Sequence, residues 1–274
     1  MRRRASKFFW LLLGVVLLVV ALGVAAPFIY IHFIEGPAPA KLELPKVSHT
    51  TSTVAGQDAG GNTSSVAGVW NVGGGSLAGY RVNEVLIGQN STAVGRTSKV
   101  WGLITITGTA VTKATVTVDM ASVASDQSER NAHFDGPIMD VAQYPTATLS
   151  LSSPIELGSI PDAGVVGHYG ATGSLSMHGV TKTVSFSLSA ERAGSQIDVL
   201  ADINVPFAEW DIANPSIGGF VTTADNGTLE VLLHLVRGAG NPASMSSGPN
   251  PVAGGGGPPT VPSTTVPPLT VPSG

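Results

Sequence analysis

No cysteine occurs anywhere in the 274 residues of this chain. That absence excludes disulfides, thiolate metal sites and a cysteine nucleophile, and it is neutral about compartment. Charge is scarce as well: 12% of residues are Asp, Glu, Lys or Arg, against about 25% in a typical soluble chain. Motifs that carry chemistry are missing too. There is no H-E-x-x-H, no G-x-S-x-G and no Walker sequence. His32, His49, His133, His168, His178 and His234 lack the i, i+2 or i, i+4 clustering that suits a metal. No catalytic residue, metal or cofactor is therefore expected.

The few charges are unevenly placed. Arg2, Arg3, Arg4 and Lys7 hold four of the 14 basic residues, while Gly68–Arg237 carries 8 basic and 15 acidic ones. An acidic domain repels phosphate backbones, so nucleic acid is not an expected partner. What the chain has in quantity is apolar residues, at 43%, together with 34 Gly and 19 Pro. That mixture suits a membrane segment, a β-rich domain with many turns, and polar linkers.

The order along the chain follows from these shifts. Residues 1–7 form a basic cytoplasmic N-terminus, and residues 8–30 a transmembrane anchor. The apolar stretch Phe8–Ala26 is uncharged and would span roughly 28 Å as a helix, close to the ~30 Å hydrocarbon core. The basic cluster before it stays cytoplasmic, which sends the rest outside. A cleaved signal peptide is the competing reading, with Val24-Ala25-Ala26 as its small residues; Pro27 and the renewed apolar run Phe28-Ile29-Tyr30-Ile31 favour the uncleaved anchor. Residues 31–67 read as a linker, and a free coil from Glu35 to Ala67 would reach ~30 Å. Residues 238–274 form an uncharged Gly/Pro-rich tail that should not fold. It could serve as a polyproline II ligand for an envelope protein or as a spacer.

Residues 68–237 are β throughout. Ala114, Val116, Val118 and Met120 share one face, and Thr115, Thr117 and Asp119 the other. The same period of two recurs in Ala147–Leu151, Val184–Ala190, Ile197–Val205 and Leu229–Leu235, which marks half-buried strands. With Leu77–Leu86, Val100–Thr107 and Thr172–Met177 the total is about eight strands. One segment, Ser125–Phe134, lacks alternation and reads as a short helix. Asp126 and Glu129 stand at the spacing of a capping box, and Gly136-Pro137 would end it. Eight antiparallel strands fit either a closed barrel or a sandwich. Small residues at Ala78, Ala114, Ala147 and Ala201 would leave a barrel interior partly unfilled, or would pack against larger residues opposite. The run Gly73-Gly74-Gly75-Ser76-Leu77-Ala78 satisfies G-x-G-x-x-A, but Tyr80-Arg81-Val82 continues as strand where a dinucleotide site needs a helix. Trp70, Trp101, Trp210 and Tyr144 read as core or rim packing.

Four motifs in order bring a family into view. Ser76–Val82 with Ala93–Thr97 resembles the opening of YceI-like polyisoprenoid-binding domains. Ser128–Phe134 followed by Met139-Asp140 and Tyr144–Thr148 is similar to that family's central pattern, Leu175–Lys182 to its L-x-x-H-G-V-T segment, and Phe207–Pro215 to its late aromatic segment. Two departures stand out: Asn131 where Asp is usual, which weakens an ion pair there, and Asp211 where Gly is usual, which suggests a different turn. The resemblance implies a lipocalin-like antiparallel β-barrel, all-β with one short helix, whose lumen holds an isoprenoid or similar amphipathic lipid. On that reading Val116, Val118, Leu149, Leu151, Met177 and Phe186 are lumen candidates. Arg130 and His133, one turn apart, would contact a polar head group at the mouth; the alternative is a solvated helix face or a pairing with Asp135 or Asp140.

The function expected is storage or transport of the lipid, without catalysis, at the outer face of the cell membrane. The rival is a structural envelope protein with a side-chain-filled barrel and a partner-binding tail. A hydrolase of scattered Ser, His and Asp comes third.

Overall fold

The computed structural model describes residues 12–19, 38–45, 65–86, 88–216 and 221–238. Residues 12–19 form a helix, α1, with exposed side chains. Among the described residues no helix is long and apolar enough to cross a membrane. The remainder of the expected anchor, residues 8–11 and 20–30, lies outside the described residues, as do the basic N-terminus and, apart from Gly238, the Gly/Pro-rich tail.

The alternating segments become the strands of one closed sheet. In chain order they are β1 (Gly68–Val72), β2 (Leu77–Leu86), β3 (Gln89–Thr97), β4 (Val100–Thr107), β5 (Ala110–Asp119) and β6 (Thr146–Leu151). They continue as β7 (Ile155–Glu156), β8 (Gly167–Met177), β9 (Val180–Ala193), β10 (Gln196–Pro206), β11 (Val221–Thr223) and β12 (Asn226–Arg237). The ring runs β1-β4-β5-β6-β8-β9-β10-β12, and β12 pairs back onto β1. That closure decides between barrel and sandwich in favour of the barrel. Its neighbours are antiparallel and follow chain order, which is the up-and-down arrangement of a lipocalin-like barrel.

Three walls of the ring are made of two pieces each. β1 and β2 lie end to end along β12, with Trp70 opposite Arg237 and Leu77 opposite Leu232. β3 and β4 continue in the same way beside them, and β6 and β7 both pair with β5. The glycine run Gly73–Gly75 makes the break between β1 and β2. Gly75 sits at φ +88, and the Gly73 N–H donates to the His234 carbonyl at 2.7 Å. The G-x-G-x-x-A match is therefore a strand interruption.

The segment between β5 and β6 carries α2 (Ser128–His133), followed without a gap by a π-turn over Phe134–Ile138. Gly136-Pro137 lies inside that turn instead of ending the helix. The expected capping box does not form, because the helix starts one residue later and Gln127 is its uncapped N-cap. Asp126 instead accepts from Arg130 Nη1 at 2.6 Å. Asn131 takes over local ordering: its side-chain oxygen accepts from the Ser125 N–H at 2.7 Å and from the Ser125 hydroxyl at 2.8 Å.

Two apolar clusters form inside the barrel. One gathers Phe134, Leu175, Met177, Ile203, Val205 and Trp210 beside the α2 segment. The other gathers Trp70, Ile104, Ile106, Ile197 and Leu235. It also takes in Val66, buried ahead of β1, so the packed unit starts before the Gly68 boundary read from sequence.

Candidate functional site

Period-two alternation places one side chain of every pair inside the barrel, so the interior is built from the apolar half of each strand. On β10 the inward set is Ile197, Val199, Ala201, Ile203 and Val205, and all five border a cavity. Their span along the strand is roughly 26 Å, so the cavity runs most of the barrel's length. Its volume is about 690 Å^3, within the ~300–1,000 Å^3 of small-molecule pockets. The small residues explain the space: Ala78, Ala114, Ala147 and Ala201 all border it. Ala78, Ala147 and Ala201 are themselves buried, so neighbouring side chains cover most of each.

All six lumen candidates, Val116, Val118, Leu149, Leu151, Met177 and Phe186, border this cavity, as do Arg130 and His133. Met177 is buried, whereas the other five apolar side chains are only half-buried. Inward-facing aliphatic groups that keep that much accessible area have lost contacts on one side.

The two ends differ in chemistry. At the α2 end Glu84, Gln127, Glu129, Arg130 and Asn214 reach the cavity. Arg130 binds Asp126 at 2.6 Å and reaches Glu84 at 3.7 Å. Its positive charge is thus met by two carboxylates. Tyr80 stacks on Phe134 with centroids 5.0 Å apart and planes 16° from parallel. Burial, with lesser help from Glu84, Asp126 and Asp135 and against Arg130, pushes the Tyr80 hydroxyl up to about 12. It stays a neutral donor at any physiological pH. The opposite end is walled mainly by apolar groups such as Ile106, Leu157, Ile160 and Val165, with Tyr169, Glu191 and Arg192 among them.

Glu84, Tyr80 and Asn214 were not singled out in the sequence. Tyr80 and Glu84 share the inward parity of Ala78 and Val82, so alternation alone held that signal. Asn214 enters from an irregular segment and left none.

The turn residues do what their types allow. His178 and Gly179 take φ +51 and φ +76 in the β8–β9 turn. His178 Nδ1–H donates to the Trp210 carbonyl at 2.9 Å, and the Tyr144 ring packs edge-on to His178 at 5.1 Å. Asp211 takes φ +54, a left-handed conformation that glycine favours. A Ser–His–Asp grouping also forms, on the outer wall. His234 Nδ1–H donates to Asp198 at 2.6 Å, but Ser76, 2% exposed, receives the His234 backbone N–H and donates to the Gly73 carbonyl. The imidazole does not activate the hydroxyl, so the nucleophile–base contact of acyl transfer is not made.

A closed up-and-down barrel with a long apolar cavity and a polar mouth defines a small-molecule-binding β-barrel. The chain belongs to the YceI-like family: a family model described as the YceI-like domain matches residues 48–235. It is similar to a UPF0312 protein of Vibrio campbellii, 32% identical over 84 residues, which is 30% of this chain and 41% of that protein. A UPF0312 protein of Vibrio parahaemolyticus is 31% identical over a stretch of the same length and coverage. The aligned stretch therefore spans about two fifths of the relatives it matches. The fold is also that of a polyisoprenoid-binding domain from Saccharophagus degradans implicated in plant cell wall breakdown. The TM-score is 0.51 at 14% identity, covering 63% of this chain and 99% of that one.

Proposed function

We propose that this protein binds an isoprenoid or similar amphipathic lipid in its barrel, without catalysis, and stores or carries it at the outer face of a cell membrane to which residues 8–30 anchor it. The observation that carries the reading is the cavity. Its walls are mostly apolar between the two ends, and each Å^2 of prenyl chain buried there gains ~25 cal/mol from leaving water. The solved Saccharophagus degradans domain, named for polyisoprenoid binding, has the same fold. The lumen contacts fall to Val116, Val118, Leu149, Leu151, Met177 and Phe186, and the head group to the mouth where Arg130 and His133 stand. With Arg130 already paired to Asp126 and Glu84, the mouth suits a neutral polar head better than a phosphate.

The cavity also weighs against the rival reading of a side-chain-filled barrel acting through its tail. Native mass spectrometry of the full-length protein, purified in mild detergent before and after organic extraction, tests the proposal. A bound species of several hundred daltons that is lost on extraction and regained from prenyl alcohols is the expected result. A bare polypeptide mass that no prenyl lipid shifts would overturn it. Leu149→Glu or Phe186→Asp, if still folded, should lose uptake.

A further inference from the structure

The outer wall holds a built feature that the lumen does not need. Arg96 on β3, Gly79 on β2, Glu230 on β12 and Asp202 on β10 stand opposite one another across four adjacent strands. A Cβ at Gly79 would come within 2.0 Å of the Gly95 carbonyl oxygen and 2.9 Å of the Arg96 side-chain stem, so the glycine lets β3 and the Arg96 stem lie this close over β2. The Arg96 guanidinium reaches Glu230 at 2.8 Å, and Arg81 meets the same carboxylate at 2.5 Å. Glu230 is 1% exposed, although the alternation of β12 points it outward. Something lies over it. Arg81 donates to the Pro39 carbonyl at 2.8 Å, and Arg96 donates to the Ala40 carbonyl. Beyond these, Leu42 and Leu44 are half-buried while Lys41 and Glu43 are exposed. That is the alternation of an extended segment with one side against a surface.

We propose that residues 38–45 are a docked clamp. The two arginines, oriented by Glu230, hold the backbone carbonyls of Pro39 and Ala40, and the two leucines seat the rest. Part of the stretch read from sequence as a free linker is then fixed to the barrel. The consequence, which rests on the membrane reading above, is a short tether. From Tyr30, where the anchor ends, to Pro39 an extended chain spans at most ~32 Å, where a free linker out to Val66 would allow up to ~130 Å. The clamp holds the β2–β12 wall beside the lipid surface.

Trypsin, which cuts after Lys41, reports docking directly in the full-length protein. Cleavage there should be at least about tenfold slower in the wild type than in Arg96→Ala or in the double variant Leu42→Ser, Leu44→Ser. The double variant lies outside the barrel, so an unchanged thermal transition excludes unfolding as the cause. Equal cleavage rates in all three would overturn the clamp. The absence of native cysteine permits a single dye at Ser195→Cys, with the full chain in phosphatidylcholine vesicles that carry an acceptor lipid. Energy transfer should fall when the clamp is released. Transfer that stays equal while Lys41 protection is lost would overturn the short tether. A chain that fails to remain with the vesicles overturns the membrane reading and the tether with it, while the protease result still decides the clamp.

Discussion

Glu230 shows how much a single outward position can carry. Burial works against its charge, but hydrogen bonds from Arg81 and Arg96, and the charges behind them, win and hold the carboxyl below its usual range. Removing one partner of a buried pair strands the others, so Glu230→Gln should cost about 3 kcal/mol. A lowered folded value means the contribution is complete above the ordinary glutamate range and is lost as pH falls through the folded value. Urea unfolding of wild type and variant should therefore differ most near neutrality and converge in acid; a gap that does not change with pH would assign the loss to packing. None of this was legible in the sequence. Arg81 and Glu230 are 149 residues apart, and an outward charge on an alternating strand reads as solvated. The lumen residues were legible for the opposite reason, since Val116, Val118, Leu149 and Leu151 announce their shared face within one strand each.

At the scale of elements, the turn at His178-Gly179 and the helix α2 make contrasting cases. Gly179 sits at φ +76, and a Cβ there would meet the Tyr144 ring at 2.7 Å. Gly179→Ala should then cost more than the 1–2 kcal/mol of a left-handed alanine, seen as a lowered denaturation midpoint. Helix α2 has six residues, no side-chain cap and no buried residue. So short a helix has little stability of its own. Among the helix and the long strands of the barrel, amide hydrogen exchange should be fastest in α2 and slowest in β10, which is paired on both sides; protection of α2 equal to that of β10 would contradict this. Legibility follows the same physics. β10 and β12 alternate cleanly, so sequence placed them well. β3 was missed because Ala93, Val94 and Gly95 are buried in succession, and two covered faces erase the period of two. The capping box failed because Asp126 had a stronger partner in Arg130 than the helix backbone.

For the whole molecule, the apolar cavity links occupancy to stability. A ligand that binds only the folded barrel adds RT ln(1 + [L]/Kd), about 2.7 kcal/mol at a hundredfold excess over Kd. For a domain of this size that raises Tm by roughly 5–10 °C. Extracted protein should melt lower than protein as purified, and a prenyl alcohol should restore the difference. The mouth then discriminates between heads. Glu84, Glu129 and the Arg130–Asp126 pair present more negative than positive charge to whatever stands there, and the domain as a whole is acidic, with 15 acidic against 8 basic residues over Gly68–Arg237. A prenyl phosphate of equal chain length should give the smaller Tm rise, and its deficit should shrink as added salt shortens the screening length. Replacing Glu84 with Gln removes one of the carboxylates facing Arg130 and should narrow the gap between the two lipids. A phosphate that binds better than the alcohol at low salt would mean that Arg130 leaves Asp126 and Glu84 to meet its ligand.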